Sequence, residues 1–268
     1  MDTPALMLPL LAWAVHDRAN LAGVFTDIDD TLTDHGAIGP AATRAIADLA
    51  AAGLHVVPVT GRPIGWSEPF ARDLVVEAIV AENGGAAWVR TAAGGIEKVY
   101  PDDAPTRRDR YARLQAAAQR VLREVPGATL ARDSTGRETD IAIDHSEFAH
   151  LPQQAIDTVV AVLRDEGLHA TVSSIHINGW LGAHDKFSGA CWIARRLWGI
   201  DLAAQLDRWA YVGDSTNDQA MFARFAHSIG VANIARFVPR MAQLPRYVAD
   251  AERGAGFAEV AAAILAAR

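Results

Sequence analysis

The architecture follows from Val24–Asp34, VFTDIDDTLTD. That stretch comes after LAG, so an apolar run ends abruptly in four aspartates within eleven positions. A strand buried on both faces of a parallel sheet reads as such a run, and ligands in these sheets bind beyond the carboxyl ends of the strands. Like charges gathered at a strand end require a partner, which makes the rest of the chain a search for other strands that finish at the same edge.

Two more do. LHVVPVTG, residues 54–61, is a second apolar run, closing on Thr60 and Gly61, and WAYVGDSTND, residues 209–218, is another, closing on Gly213, Asp214, Asn217 and Asp218. Pro40 to Ala52 reads as a helix stopped by Gly53, and further helices are predicted through SGACWIARRLWG, NDQAMFARFA and GFAEVAAAILAAR. Apolar strands alternating with helices give an α/β domain, a parallel sheet with helices on both faces.

The middle differs in kind. From about Ala86 to His184 the pattern is short strands (AAWV, EKVY), a long helix through RRDRYARLQAAAQRVLREV, a strand TDIAIDH, a helix PQQAIDTVVAVLRDEG and a strand HATVSSIHING. This reads as an α+β domain with an antiparallel sheet, inserted into a split core. The expected division is a core at 1–84 and 185–268 and a cap at 85–184, with hinges at Gly84–Gly85 and His184–Asp185.

Composition narrows the function. The chain has 268 residues, half of them hydrophobic, a net charge of −7 and a pI near 5.7. That supports a large core and offers no basic footprint for nucleic acid or an anionic membrane, so a small-molecule partner is expected. A single cysteine, Cys191, excludes an internal disulfide and fits a reducing, cytoplasmic setting. The N-terminal ALMLPLLAWAV lacks a basic leader, contains Pro9 and is too short to span a bilayer, so it reads as a packing segment. Only two of the 25 basic residues are lysines, Lys98 and Lys186. A retained lysine marks a place where a compact ammonium is wanted.

Lys186, in HDKFSG, enters the helix leading to the third strand, so the common edge holds Asp27, Asp29, Thr60, Lys186, Asp214 and Asp218. Two unit charges a few ångström apart repel by about 4 kcal/mol at an effective dielectric near 20, so this many carboxylates need a cation among them. An oxygen-only donor set favours a hard one, Mg²⁺. Cation, lysine, hydroxyl and strand-end amides together suit a phosphoryl group.

The ordered set Asp27-x-Asp29-x-Thr31, Thr60-Gly61-Arg62, Lys186 and Gly213-Asp214-x-x-Asn217-Asp218 resembles the haloacid dehalogenase-like superfamily of phosphatases. The large insert and the closing segment are similar to its Cof-type and sucrose-phosphatase-like branch. The resemblance implies a Rossmann-like core and a Mg²⁺-dependent hydrolysis of a small phosphorylated metabolite, a sugar phosphate, through an aspartyl-phosphate. It implies Asp27 as nucleophile, Asp29 as acid and then base, and Thr60, the Gly61 amide and Lys186 as phosphate holders. Asp27, the Asp29 carbonyl and Asp214 would bind the metal, Asn217 and Asp218 would orient groups around it, and Thr31 would orient the loop. One departure stands out: the family lysine is often followed by glycine, and here the run is Lys186-Phe187-Ser188-Gly189.

Other residues carry open readings. Asp30 and Asp34 fit solvated loop or cap acids, Arg62 fits a substrate clamp or a salt bridge, and Trp66 fits sugar stacking or packing. The nine histidines show no metal spacing. In the cap, alternation puts Ser174, His176, Asn178 and Trp180 on one face of SSIHINGW, against Ile175, Ile177 and Leu181, and puts Glu138, Asp140 and Asp144 on one face of RETDIAID. Ser174, His176, Asn178 and Glu138 are therefore the expected substrate contacts. The same residues also fit two alternatives: a phosphohexomutase of the same fold, and a non-catalytic sensor domain that accepts phosphate on Asp27.

Overall fold

The structure, a computed structural model, describes residues 7–268. Among these the chain runs β1 (Leu8–Pro9), α1 (Val15–Ala19), β2 (Gly23–Thr26), a hairpin of β3 (Thr33–Asp34) and β4 (Ala37–Ile38), α2 (Pro40–Ala51), β5 (His55–Pro58), α3 (Ile64–Asp73), β6 (Ala78–Ala81), β7 (Ala86–Arg90) and β8 (Ile96–Val99). It continues through α4 (Ala104–Glu124), β9 (Thr129–Leu130), β10 (Asp140–Asp144), α5 (Gln153–Asp165), β11 (His169–Val172), β12 (His176–Trp180), α6 (Lys186–Trp198), β13 (Trp209–Gly213), α7 (Gln219–Phe222), β14 (His227–Gly230), β15 (Tyr247–Val248) and α8 (Arg253–Leu265).

The main sheet is parallel, in the order β1-β15-β14-β13-β2-β5, and a bridge from Val59 to Val80 sets β6 beside β5. Strand alternation sorts neighbours to opposite faces. Val24, Val56 and Ala210 pack with Ile46 and Leu49 of α2 and Phe257 and Val260 of α8, while Phe25, Val57 and Tyr211 pack with Phe187, Ala190 and Ile193 of α6 and Met221 of α7. Each large side chain so buried contributes roughly 1.5–3 kcal/mol, which is why the strands read as unbroken apolar runs. The sheet order matters most for function. It flanks β2 with β13 and β5, so the ends carrying Asp27, Asp214 and Thr60 are neighbours.

The N-terminal segment packs as expected where it is described: β1 pairs with β15, and buried Trp13 stacks on Tyr247 at 5.7 Å. Ala5 and Leu6 of that segment lie outside the described residues. No helix among the described residues is long and apolar enough to cross a membrane.

The second layer system is an antiparallel sheet, β11-β12-β10-β9, with α4 and α5 closing one face through Leu114, Val121, Val159 and Leu163 against Ile141, Ile143 and Ile177. Two expectations change here. AAWV and EKVY are not part of this cap: β7 and β8 form an antiparallel sheet with β6, and Ala86 and Trp88 join one core cluster while Ala87, Val89 and Val99 join the other. The insert therefore starts near Pro101 rather than residue 85. HATVSSIHING is not one strand either. Ser173 bonds back to His176 through both its amide and its hydroxyl, and the chain turns there into the hairpin β11–β12. That turn places Ile175 at the tip, in the crevice facing the core, rather than on the apolar face with Ile177 and Leu181.

Candidate active site

Asp27 follows β2 directly, its amide still bonded to the Val212 carbonyl at 2.8 Å, so the carboxylate emerges beside the end of β13. Lys186 is the first residue of α6, and that helix starts on a capping box in which Asp185 accepts from the Ser188 amide and the Ser188 hydroxyl from the Asp185 amide. Three residues after Lys186, a Cβ at Gly189 would sit 2.6 Å from Gly84 Cα.

The Lys186 ammonium, 2 % exposed, donates to Asp27 at 2.6 Å and to Asp218 at 2.7 Å. Asp218 is saturated with donors: the Tyr211 hydroxyl shares the oxygen that Lys186 holds, and the Asp214 and Ser215 amides bind the other at 3.0 and 3.1 Å. Gly213 permits this, since a Cβ there would lie 2.5 Å from the Asp218 carboxylate. Asp214 differs. Asn233 and Arg236 reach its Oδ2 at 3.1 and 3.3 Å, and its buried Oδ1 has no partner. Carboxylate oxygens of Asp27, Asp214 and Asp218 lie within 4.8 Å of one another.

Burial sets the electrostatics. It pushes the Asp27 carboxyl up to about 8, with Asp218 and Asp29 adding to the rise and Lys186 opposing it. Burial and the two neighbouring carboxylates also hold Asp214 well above its ordinary value. Burial works against the Lys186 ammonium, but Asp218 and Asp27 outweigh it and raise its pKa. Such a cluster is short of positive charge by the measure of its own carboxylates.

Thr60 is fully buried at the end of β5, and its Oγ1 accepts the Arg62 amide at 3.0 Å. The Arg62 side chain takes the salt-bridge reading, with partners on both sides of the crevice. It binds Asp29 at 2.9 Å within the core and reaches Asp133 at 3.0 Å and Glu147 at 2.9 Å in the cap. Trp66 packs on the core beside Phe70, with the Arg62 guanidinium 4.9 Å from its ring. Asp30 and Asp34 are ion-paired to arginines rather than aimed at the site: Asp30 to Arg236 and Arg253, Asp34 to Arg253. Thr31 is fully buried with an unpartnered hydroxyl.

The cap closes over this edge. The crevice between them is lined by Asp27, Asp29, Gly61, Arg62, Ser174, His176, Asn178 and Asn217, and its free volume of about 10 Å³ admits roughly one water. His176 bonds Glu147 at 2.8 Å, and these contacts with Arg62 push the Glu147 carboxyl down to about 2 despite burial. Asn217 accepts from the Ser215 hydroxyl. Glu138 does not face the crevice: it lies outside β10, and Lys98 of β8, at 2.6 Å, and Tyr100 just after that strand hold its carboxylate. Lys98 is thereby explained as its ion-pair partner. Asp144 also turns aside, accepting the amides of residues 146–149.

Sequence reasoning missed Tyr211, Asn233, Arg236, Glu82, Arg137 and Glu147. Tyr211 had a legible signal, since strand alternation puts it on the α6 face two residues before Gly213. The others are read only from long-range contacts.

Residues 24–97 match the family of haloacid dehalogenase-like hydrolases. No curated protein matches the chain in sequence. Solved structures with the same fold include the sucrose-phosphatase of Synechocystis sp. PCC6803 in complex with sucrose and phosphate (14% identity, TM-score 0.65, 91% of this chain and 98% of that one). They also include a HAD/COF-like hydrolase from Plasmodium vivax (17%, 0.67, 95% and 100%) and the C-terminal domain of the C. albicans trehalose-6-phosphate phosphatase (15%, 0.67, 99% and 99%).

Proposed function

We propose that this chain, a haloacid dehalogenase-like hydrolase by its residues 24–97, its strand-end motifs and its fold, is a Mg²⁺-dependent phosphatase acting on a small phosphorylated metabolite, a sugar phosphate. The observation that carries the reading is the Asp27–Lys186 contact at 2.6 Å, set among buried carboxylates with an orphaned Asp214 oxygen. That oxygen and the oxygen-only donor set fit a hard divalent cation. Asp27, the Asp29 carbonyl and Asp214 would hold it, with Asn217 beside them. Asp218 is committed to Lys186, Tyr211 and two amides, so its role is to anchor the lysine. When bound, the cation would neutralise charge on Asp27 and on the phosphoryl oxygens.

Asp27 then attacks phosphorus, forming an aspartyl-phosphate as the bond to the leaving oxygen breaks. Asp29 gives that oxygen a proton and afterwards takes one from the water that attacks the phosphoenzyme, regenerating Asp27 and releasing phosphate. Lys186, the Thr60 hydroxyl and the Gly61 amide bind phosphoryl oxygens. On the leaving-group side, Ser174, His176 and Asn178 line the crevice with hydroxyl, imidazole and amide groups, which suit a polyhydroxylated partner. The sucrose-phosphatase and trehalose-6-phosphate phosphatase neighbours support the same substrate class. A crevice of about 10 Å³ requires the cap to part before substrate enters.

The test is phosphate release from a panel of phosphorylated metabolites with and without Mg²⁺. Metal-dependent release, strongest on sugar phosphates, is expected; no release from a folded, metal-loaded protein would contradict the proposal.

A further inference from the structure

The cap touches the phosphate-binding loop from behind as well as from above. Arg137, 2 % exposed and absent from the crevice lining, donates through Nη1 to the Gly61 carbonyl at 2.9 Å. The same nitrogen binds the fully buried Asp140 at 2.8 and 2.9 Å. Asn178 bonds the same two acceptors, the Gly61 carbonyl at 3.2 Å and Asp140 at 3.1 Å. The Gly61–Arg62 peptide is thus held at its oxygen by the cap and at its N–H by Thr60 Oγ1, at 3.0 Å. With that oxygen accepting, the Thr60 proton is free to be donated into the site.

The segment that carries Arg137 is itself fixed to the core. Glu82, fully buried and with a left-handed φ of 50°, accepts the Ile64 amide at 2.9 Å from the core and the amides of Glu138 and Thr139 plus the Thr139 hydroxyl from the insert. A non-glycine residue is kept in that strained conformation only where surrounding bonds over-determine it. Glu82 thereby sets where Arg137 stands.

We infer that Arg137 is a positioning residue for phosphate: cap closure, through Arg137 and Asn178, fixes the Gly61–Arg62 peptide and so aims the Gly61 amide and the Thr60 hydroxyl. The cap then assembles the phosphate site besides selecting the leaving group. This rests on the phosphatase reading and adds a role that the crevice lining does not reveal.

The test compares the native full-length protein with Arg137→Lys, which keeps a cation beside Asp140 but replaces the planar fork with a single ammonium. Inorganic phosphate binding is measured by calorimetry with Mg²⁺, and kcat and KM are measured with p-nitrophenyl phosphate and with the best sugar phosphate. The expected result is about tenfold weaker phosphate binding, the order set by losing one charge-assisted hydrogen bond, with kcat falling similarly for both substrates. Phosphate affinity within twofold of native, with only the sugar-phosphate KM altered, would overturn the inference and leave the phosphatase reading intact. Absence of phosphate binding by the native protein would overturn both. If Arg137→Lys does not fold, the charge-free pair Arg137→Leu with Asp140→Asn is put through the same comparison with the same two outcomes.

Discussion

Replacing Tyr211 by Phe removes one hydroxyl and nothing else from the β13 face. The ring keeps its contacts with Phe222 and Phe225, at 5.7 and 5.8 Å between centroids, so no cavity is added. What is lost is a fully buried hydrogen bond to Asp218, whose remaining donors are Lys186 and two backbone amides. A hydrogen bond to a charged group contributes about 1.5–3 kcal/mol, so urea unfolding should register a loss of that size. Because Asp218 shares the same oxygen between Tyr211 and Lys186, the lysine also loses definition, and turnover should fall by about tenfold. A double-mutant cycle with Asp218→Asn isolates the contact: Tyr211→Phe should cost far less in that background than in the native one. A loss below about 0.5 kcal/mol, or an equal loss in both backgrounds, would refute the anchoring role of Tyr211.

Other perturbations test separate parts of the account. Gly189→Ala places a Cβ 2.6 Å from Gly84 Cα and 3.1 Å from Val80 Cγ1, and should destabilise the chain by about 1–3 kcal/mol in urea, because backbone on both sides must move. His184 is held near 4 instead of 6.5, chiefly by burial, so the unfolded chain binds its proton first as pH falls. The contribution of His184 to stability should therefore drop by about 3 kcal/mol between pH 6.5 and 4, read as the difference between the unfolding curves of the native protein and His184→Gln across that range. Mg²⁺ at about a hundred times its dissociation constant should stabilise the native fold by about 2.7 kcal/mol, and Asp214→Asn should abolish most of that gain; an unchanged gain would remove Asp214 from the metal site.

Much of the core site was legible because its residues sit where strands end, and strands buried on both faces announce their ends by a change from apolar to polar. Asp27, Thr60, Gly213 and Asp214 were found that way. Lys186 was found through the scarcity of lysine. The cap was harder to read, since half-buried antiparallel strands carry a period-2 pattern that survives a tight turn. The run from His169 to Gly179 alternates well enough to pass for one strand, although the bonds of Ser173 fold it into a hairpin. AAWV and EKVY failed for a related reason: an antiparallel hairpin on the end of a parallel sheet has the local signature of an α+β insert, and only Trp88, Val89 and Val99 packed into the core clusters reveal its allegiance. Glu82 carries no local signal, because its side-chain partners lie 18 to 57 residues away in sequence, and the Arg137–Asp140 pair, three residues apart, reads as an ordinary ion pair until the Gly61 carbonyl, 76 residues away, is seen to join it.

The most direct test of the central claim is to trap the covalent intermediate. Enzyme mixed with a phosphate-labelled substrate and Mg²⁺, quenched in acid within the first turnover and mapped by peptide mass spectrometry, should carry a phosphoryl group on Asp27, and Asp27→Asn should carry none. Rapid turnover with no phosphoprotein at any quench time, or with the label on another residue, would contradict nucleophilic attack by Asp27.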